Sequence, residues 1–258
     1  MGNQIDHGRD YDWGKVSREY ARYRDIYPTE FYARILNKGL CLRGQKALDV
    51  GTGTGVLPRN LYEYGAEWTG IDPSEPQIQQ AIRLSEGKKI RYEVMSAEDM
   101  SFADHSFDVI TACQCYWYFD HEKTSRTFYR VLKPGGHLVL LVMSWLSYED
   151  PIAAESERIV QRYNPDWTGG GEREHPIQLP SCYEDQFEVS GSETFRLMVP
   201  FTRDTWNGRM KACRGVGASL SEPLLKEWEA EHMNFLKESA PESFDVLHYG
   251  AILDLKRK

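Results

Sequence analysis

Nine consecutive residues, Ala47-Leu48-Asp49-Val50-Gly51-Thr52-Gly53-Thr54-Gly55, constrain the fold more than any other segment. A short apolar run ends in an acid and is followed at once by three alternating glycines. That pattern is a buried strand entering a tight loop whose backbone must approach another group closely. In an α/β protein, the group lying over the carboxyl end of such a strand is usually a nucleoside cofactor.

The flanking periodicity fits that reading. Phe31, Ile35 and Leu36 have helical spacing, as do Leu57, Leu61 and Tyr64, with Pro58 in a first turn near Val56 and Gly65 as the C-terminal cap. Further strands are expected over 67–72, 90–95, 107–113 and 137–142. Ser74 and Gln77 predict a capping box, and Asp120 predicts the cap of a helix carrying Phe128, Val131 and Leu132, broken at Pro134-Gly135-Gly136. Regular alternation of strand and helix implies right-handed crossovers and a mostly parallel sheet.

After residue 142 the rhythm breaks. A helix with Ile152, Ile159 and Tyr163 precedes a Gly/Pro-rich stretch, then a strand over 194–201, a helix over 222–238 and a last strand over 244–255. The expected organisation is a cofactor-binding α/β core over 1–142, with its N-terminal lid in 1–40. Residues 143–192 form a helical and loop insertion over the active site, and 193–258 complete the sheet.

The bulk numbers narrow the function classes. With 31 basic and 39 acidic residues the net charge is -8, which argues against a phosphate-backbone binder, so no nucleic-acid partner is expected. Five cysteines without framework spacing predict free thiols in a reducing, cytoplasmic compartment. Met1 to Asp6 contain no apolar run, so no signal peptide is expected, and Met1-Gly2 lacks the Ser or Thr of a myristoylation start because Asp6 stands there. No segment is apolar enough to span a membrane.

The loop itself separates two cofactor classes. A dinucleotide fingerprint is G-x-G-x-x-G, and Val56 stands where its third glycine would be. Asp49, just before the loop, would repel a pyrophosphate, whereas a ligand with an ammonium group and no phosphate fits. Asp72 ends the second strand, where a carboxylate can accept hydrogen bonds from ribose hydroxyls or cap the next helix; Pro73 stiffens the turn in either case.

Five ordered blocks carry a family resemblance: the loop; Gly70-Ile71-Asp72-Pro73-Ser74; Ser96-Ala97-Glu98-Asp99-Met100-Ser101-Phe102; Ser106-Phe107-Asp108-Val109-Ile110; and Arg130-Val131-Leu132-Lys133-Pro134-Gly135-Gly136-His137-Leu138. Over about 45–142 the chain resembles the class I S-adenosylmethionine-dependent methyltransferases, type 11 small-molecule branch. The resemblance implies a Rossmann-like, mostly parallel seven-stranded sheet flanked by helices, with S-adenosylmethionine across the ends of the first four strands and S-adenosylhomocysteine as product. It implies that Asp49 and the backbone of Gly51, Thr52, Gly53 and Gly55 hold the methionine end. Asp72 and Pro73 would meet the ribose, and Ser96, Ala97 and Glu98 the adenine, although the family often has Asp or Asn in place of Ser96.

Cys113-Gln114-Cys115-Tyr116-Trp117-Tyr118-Phe119-Asp120 is similar to a segment of the trans-aconitate methyltransferase-like group, in which Trp117 replaces a His and Tyr118 a Trp. The resemblance puts Cys113 and Gln114 at the cofactor. Tyr20-Ala21-Arg22-Tyr23-Arg24-Asp25-Ile26-Tyr27-Pro28 is similar to that group's lid helix, which would set Tyr20 and Arg24 near the methionine carboxylate or the substrate. Tyr116, Trp117 and His121 are the candidate catalytic residues, ordinary helix-start packing being the other reading of the two aromatics.

The remaining features read blandly. Cys113-x-Cys115 has no second pair at zinc spacing, so no metal is expected. His105, His137 and His248 read as solvent or packing residues. Arg203, Arg209 and Arg214, near Trp206, read as solvated surface charge, the alternative being anchors for a substrate carboxylate. The expected activity is methyl transfer to a small molecule by in-line displacement, in which alignment and exclusion of water matter most. A macromolecular methyltransferase, a non-catalytic S-adenosylmethionine-binding protein and a nicotinamide-dependent oxidoreductase are the alternatives.

Overall fold

The computed structural model describes residues 5–258. The Met1-Gly2 start therefore lies outside the described residues. The chain divides into two compact units. A sheet unit comprises 27–143, 175–195 and 250–258; a helical unit comprises 1–26, 144–174 and 196–249. The segment 143–192 thus falls partly in each.

Seven strands form one sheet in the order β3-β2-β1-β4-β5-β7-β6. They are β1 (Lys46–Val50), β2 (Glu67–Asp72), β3 (Arg91–Val94), β4 (Phe107–Cys113), β5 (Leu132–Trp145), β6 (Phe187–Thr202) and β7 (Ser243–Arg257). The first five of that order pair in parallel. Parallel strands are covered on both faces and so read as continuous apolar runs. Ala47, Leu48, Val50, Val109, Ile110 and Ala112 are accordingly buried at no more than 1% exposure.

The order reverses beside β1, whose neighbours are β2 on one side and β4 on the other. Ligands of open α/β sheets bind in the crevice beyond the carboxyl ends of the strands at such a switch point. The helices of the sheet unit are α2 (Thr29–Leu36), α3 (Val56–Leu61), α4 (Glu75–Leu84) and α5 (His121–Val131). Gly55 and Gly65 take the left-handed conformation at the two ends of the α3 region, as that turn chemistry requires. Asp120 caps α5 by accepting from the Lys123 N–H.

Two local expectations are corrected. Ser74 is the N-cap of α4 but its side chain makes no capping bond. Its own N–H is taken by the Asp72 carboxylate at 2.9 Å, the donor that a capping box would have offered to Gln77. Helix α5 ends at Val131, and β5 begins at Leu132, so Pro134-Gly135-Gly136 lies inside the strand. The chain tolerates this because a register shift falls there, between Phe107 and Val109 of β4.

The helical unit packs α1 (Ser17–Tyr23) on α7 (Arg203–Lys211), and α8 (Glu222–Ser239) on both α6 (Pro151–Tyr163) and α7. Asp150 starts α6 by accepting from the Ala153 N–H, with Pro151 in the first turn. Among the described residues no helix is long and apolar enough to cross a membrane.

Candidate active site

Everything at the carboxyl end of β1 converges on the glycine loop. Gly51, Gly53 and Gly55 all have positive φ, at 62°, 54° and 75°. A Cβ on Gly51 would lie 2.8 Å from the Cys115 side chain, and one on Gly55 only 2.3 Å from the Tyr92 hydroxyl. The loop is therefore glycine-rich both for conformation and for room. Gly70, on β2, is pressed in the same way by Thr52 and Tyr92.

Two carboxylates frame the loop in different ways. Asp49 is 3% exposed, and its oxygens accept from the hydroxyls of Thr52 and Thr111, each at 2.7 Å. Burial pushes its pKa up to about 6 against those two hydrogen bonds, and the nearby Asp72 adds to the rise. Asp72 is only half-buried. One of its oxygens accepts from the Gly53 N–H at 2.9 Å, and the other from the Ser74 N–H. Asp72 thus ties the loop to the end of β2. Each oxygen retains a lone pair, and burial raises this carboxyl too.

The third strand end contributes less. Ser96 is turned to Asp99, its hydroxyl donating at 3.0 Å, Ala97 is buried, and Glu98 accepts from the Asp120 N–H. At the end of β4, Cys113 bonds the Tyr27 hydroxyl. Gln114 sits at φ 62°, a strained conformation for a residue with a side chain, and its amide donates to the Met143 carbonyl. Beyond it, the Tyr116 hydroxyl donates to the Gln178 carbonyl at 2.5 Å, and its ring lies 5.2 Å from that of His121. His121 Nδ1 lies 3.2 Å from the Tyr183 hydroxyl, and burial lowers its pKa although Asp120 and Glu98 oppose this. Trp117 is 39% exposed.

The structure therefore brings Asp49, Gly51, Thr52, Gly53, Gly55 and Asp72 into one cluster, with Cys113 and Gln114 at the adjoining strand end. Tyr20 and Arg24 belong to the helical unit, where the Arg24 guanidinium donates to the Tyr20 hydroxyl at 3.3 Å. Sequence reasoning missed Tyr92, Thr111 and Cys115. Thr111 is a polar interruption of the apolar β4 run, in register with Asp49, and Tyr92 pairs with Gly70 in the β2–β3 register. Neither register can be read from the sequence alone. Among the described residues no group of three or more His, Cys, Asp or Glu side chains could hold a metal ion.

The solvated-charge reading of the three arginines is corrected. Arg214 pairs in bidentate fashion with Asp6, at 2.6 and 2.9 Å, and Arg203 donates to the Ala240 carbonyl. Arg209 is 3% exposed. Helix α7, which the sequence pattern did not announce, turns Arg209 and Trp206 inward.

A glycine-rich loop and a half-buried carboxylate thus lie together at the switch point of the sheet. Residues 48–140 match the family described as a methyltransferase domain. The donor that goes with a methyltransferase domain of this fold is S-adenosylmethionine. The domain is similar to the ubiquinone biosynthesis O-methyltransferase of Pseudomonas savastanoi pv. phaseolicola, 32% identical over 130 residues. That match covers 49% of this chain and 55% of the relative, so the chain spans about half the length of the curated relatives it matches. Among solved structures, the YcgJ protein from Bacillus subtilis has a TM-score of 0.54 at 20% identity, covering 90% of this chain and 100% of that one. The (4+2)-cyclase SpnF has a TM-score of 0.53 at 17% identity, covering 95% and 93%. These likenesses establish the Rossmann-like seven-stranded fold. A cyclase among them illustrates that this fold hosts more than one chemistry.

Proposed function

We propose that the chain is an S-adenosylmethionine-dependent methyltransferase acting on a small molecule. The observation that carries this reading is the Asp72–Gly53 bond. It holds a partly exposed carboxylate beside a loop with no room for a Cβ at Gly51 or Gly55, at the switch point of the parallel part of the sheet. The residues present fit the donor. Asp72 would accept from ribose hydroxyls through its remaining lone pairs, with Pro73 fixing the turn, and the 51–55 backbone would cradle the amino-acid end. Asp49 is too buried for an open contact, so it would act by orienting Thr52 and by its negative charge toward a cationic ligand. Ser96, Ala97 and Glu98 would lie along the base, and Cys113 and Gln114 at the β4 end complete the set.

The bound donor supplies an already activated methyl group, so the chain's own task is to align the acceptor and exclude water. An ionised acceptor needs no base. For a hydroxyl acceptor, the class suggested by the O-methyltransferase relative, His121 is the group to test. Burial keeps it neutral near pH 7, the state a proton acceptor requires, and Tyr183 and Tyr116 hold its ring. The free cysteines and the acidic charge fit a reducing cytoplasm.

Replacing Asp72 by Ala tests the donor site. Loss of a charged hydrogen-bond acceptor should weaken S-adenosylmethionine by about 10- to 100-fold in titration calorimetry. Unchanged affinity would remove Asp72 from the site.

A further inference from the structure

The helical unit buries a cation that has no counter-ion among the described residues. Arg209 is 3% exposed, its Nε has no hydrogen-bond partner, and one terminal nitrogen donates only to the Cys213 sulfur, at 3.0 Å. A buried charge is costly unless it is paired. The carboxylate on the same aromatic wall does not pair it: Glu157 is committed to the Trp145 indole N–H at 2.6 Å and to the Gly171 N–H at 2.9 Å. The Arg209 guanidinium lies over the Trp145 ring, 4.8 Å from its centroid, which stabilises the charge but leaves Nε–H without an acceptor.

A second cation points the same way. Arg24 adds like charge to Arg209, and burial and Arg24 together pull the Arg209 pKa down to about 10. His248 is fully buried, with Nδ1 at 2.9 Å from the Val246 carbonyl and Nε2 unpartnered. Its ring lies 6.4 Å from that of the same Trp145, and it feels the charges of both Arg209 and Arg24. The Trp145 wall therefore carries one unpaired cation, with the charge of Arg24 added to it. The neutral His248 ring beside it donates from Nδ1 to the Val246 carbonyl, so its Nε2 is a lone pair and serves as a reporter of the site, not as a donor to the anion.

We propose that the helical unit carries an anion site centred on Arg209, which takes the carboxylate of a small organic acid. The anion site does not rest on the methyltransferase reading. A carboxylate matches the guanidinium fork, satisfies Nε–H and neutralises the local charge. Its lone pairs are then engaged, which makes it a poor nucleophile and a good handle. A carboxylate could also come from the methyl donor, so the test separates the two sources.

The full chain is titrated with benzoate and with its neutral analogue benzamide, following the Arg209 Nε–H and His248 ring resonances by NMR. Saturable shifts with benzoate and none with benzamide are expected. Arg209→Gln should weaken benzoate about 10- to 100-fold, and Arg209→Lys by less, while S-adenosylmethionine affinity by calorimetry stays as in the parent chain. The wild-type titration stands even if a variant misfolds. Absence of benzoate shifts, equal shifts with benzamide, or full benzoate affinity in a folded Arg209→Gln chain would overturn the anion site. Loss of S-adenosylmethionine affinity in Arg209→Gln would assign the site to the carboxylate of the methyl donor and overturn a separate organic-acid site. Failure of the donor reading would show separately, as no S-adenosylmethionine binding to the parent chain.

Discussion

Asp49 and Thr111 face each other across the β1–β4 seam, the threonine hydroxyl donating to the buried carboxylate at 2.7 Å. With the Thr52 hydroxyl on the other oxygen, this bond is what allows a carboxyl at 3% exposure to ionise near neutrality. The seam connects the apolar core of the sheet to the electrostatics of the loop.

Thr111→Val should therefore raise the Asp49 pKa above its value of about 6 and destabilise the fold by roughly 1–3 kcal/mol at neutral pH. The ionised carboxylate is the form that loses most. The stability gap between variant and parent should thus be larger at pH 8 than at pH 5, where Asp49 is protonated in both. Urea titrations at the two pH values check this; an equal gap would show that the bond does not act through the charge.

Gly55→Ala should destabilise by about 1–3 kcal/mol, since it adds left-handed strain to a collision with the Tyr92 hydroxyl. Tyr92→Phe in the same chain removes the colliding oxygen and should recover part of the loss but not all. Thermal unfolding of the single and double variants reads both contributions. Full recovery would mean that φ carries no cost here.

The helical unit should be acid-sensitive. His232 and His248 are fully buried, and burial depresses both pKa values from 6.5 to about 3. The unfolded chain binds these protons at higher pH than the folded one. Their stabilising contribution is therefore complete above about pH 6.5 and is lost as pH falls toward 3, by an amount on the order of several kcal/mol. Asp6 and Glu231, whose partners Arg214 and Arg162 hold their carboxyls below the usual range, are lost in the same direction. Hydrogen exchange at amides of α7 and α8 should accelerate from pH 7 to pH 5 after correction for intrinsic rates. Constant protection would contradict the neutral burial of these imidazoles.

Most of the sheet unit was legible in the sequence because its signals are local. The apolar run of β1, the alternating glycines and the Asp120 cap each depend on neighbours in the chain. What was not legible depends on register and packing. Tyr92 reaches the loop only because Gly70 lies opposite it on β2, and Thr111 matters only because it lies opposite Asp49. Arg209 looked like surface charge because α7 has a polar composition that hides an inward face built from Trp206, Arg209 and Met210. The capping box at Ser74 failed for a local reason, since Asp72 claims the N–H that it needed.

The most direct test of the central claim is calorimetric titration of the parent chain with S-adenosylmethionine and, separately, with NAD. The Asp72–Gly53 cradle predicts saturable binding of S-adenosylmethionine and none of NAD, whose pyrophosphate would meet the carboxylates of Asp49 and Asp72. Saturable binding of NAD with no response to S-adenosylmethionine would contradict it.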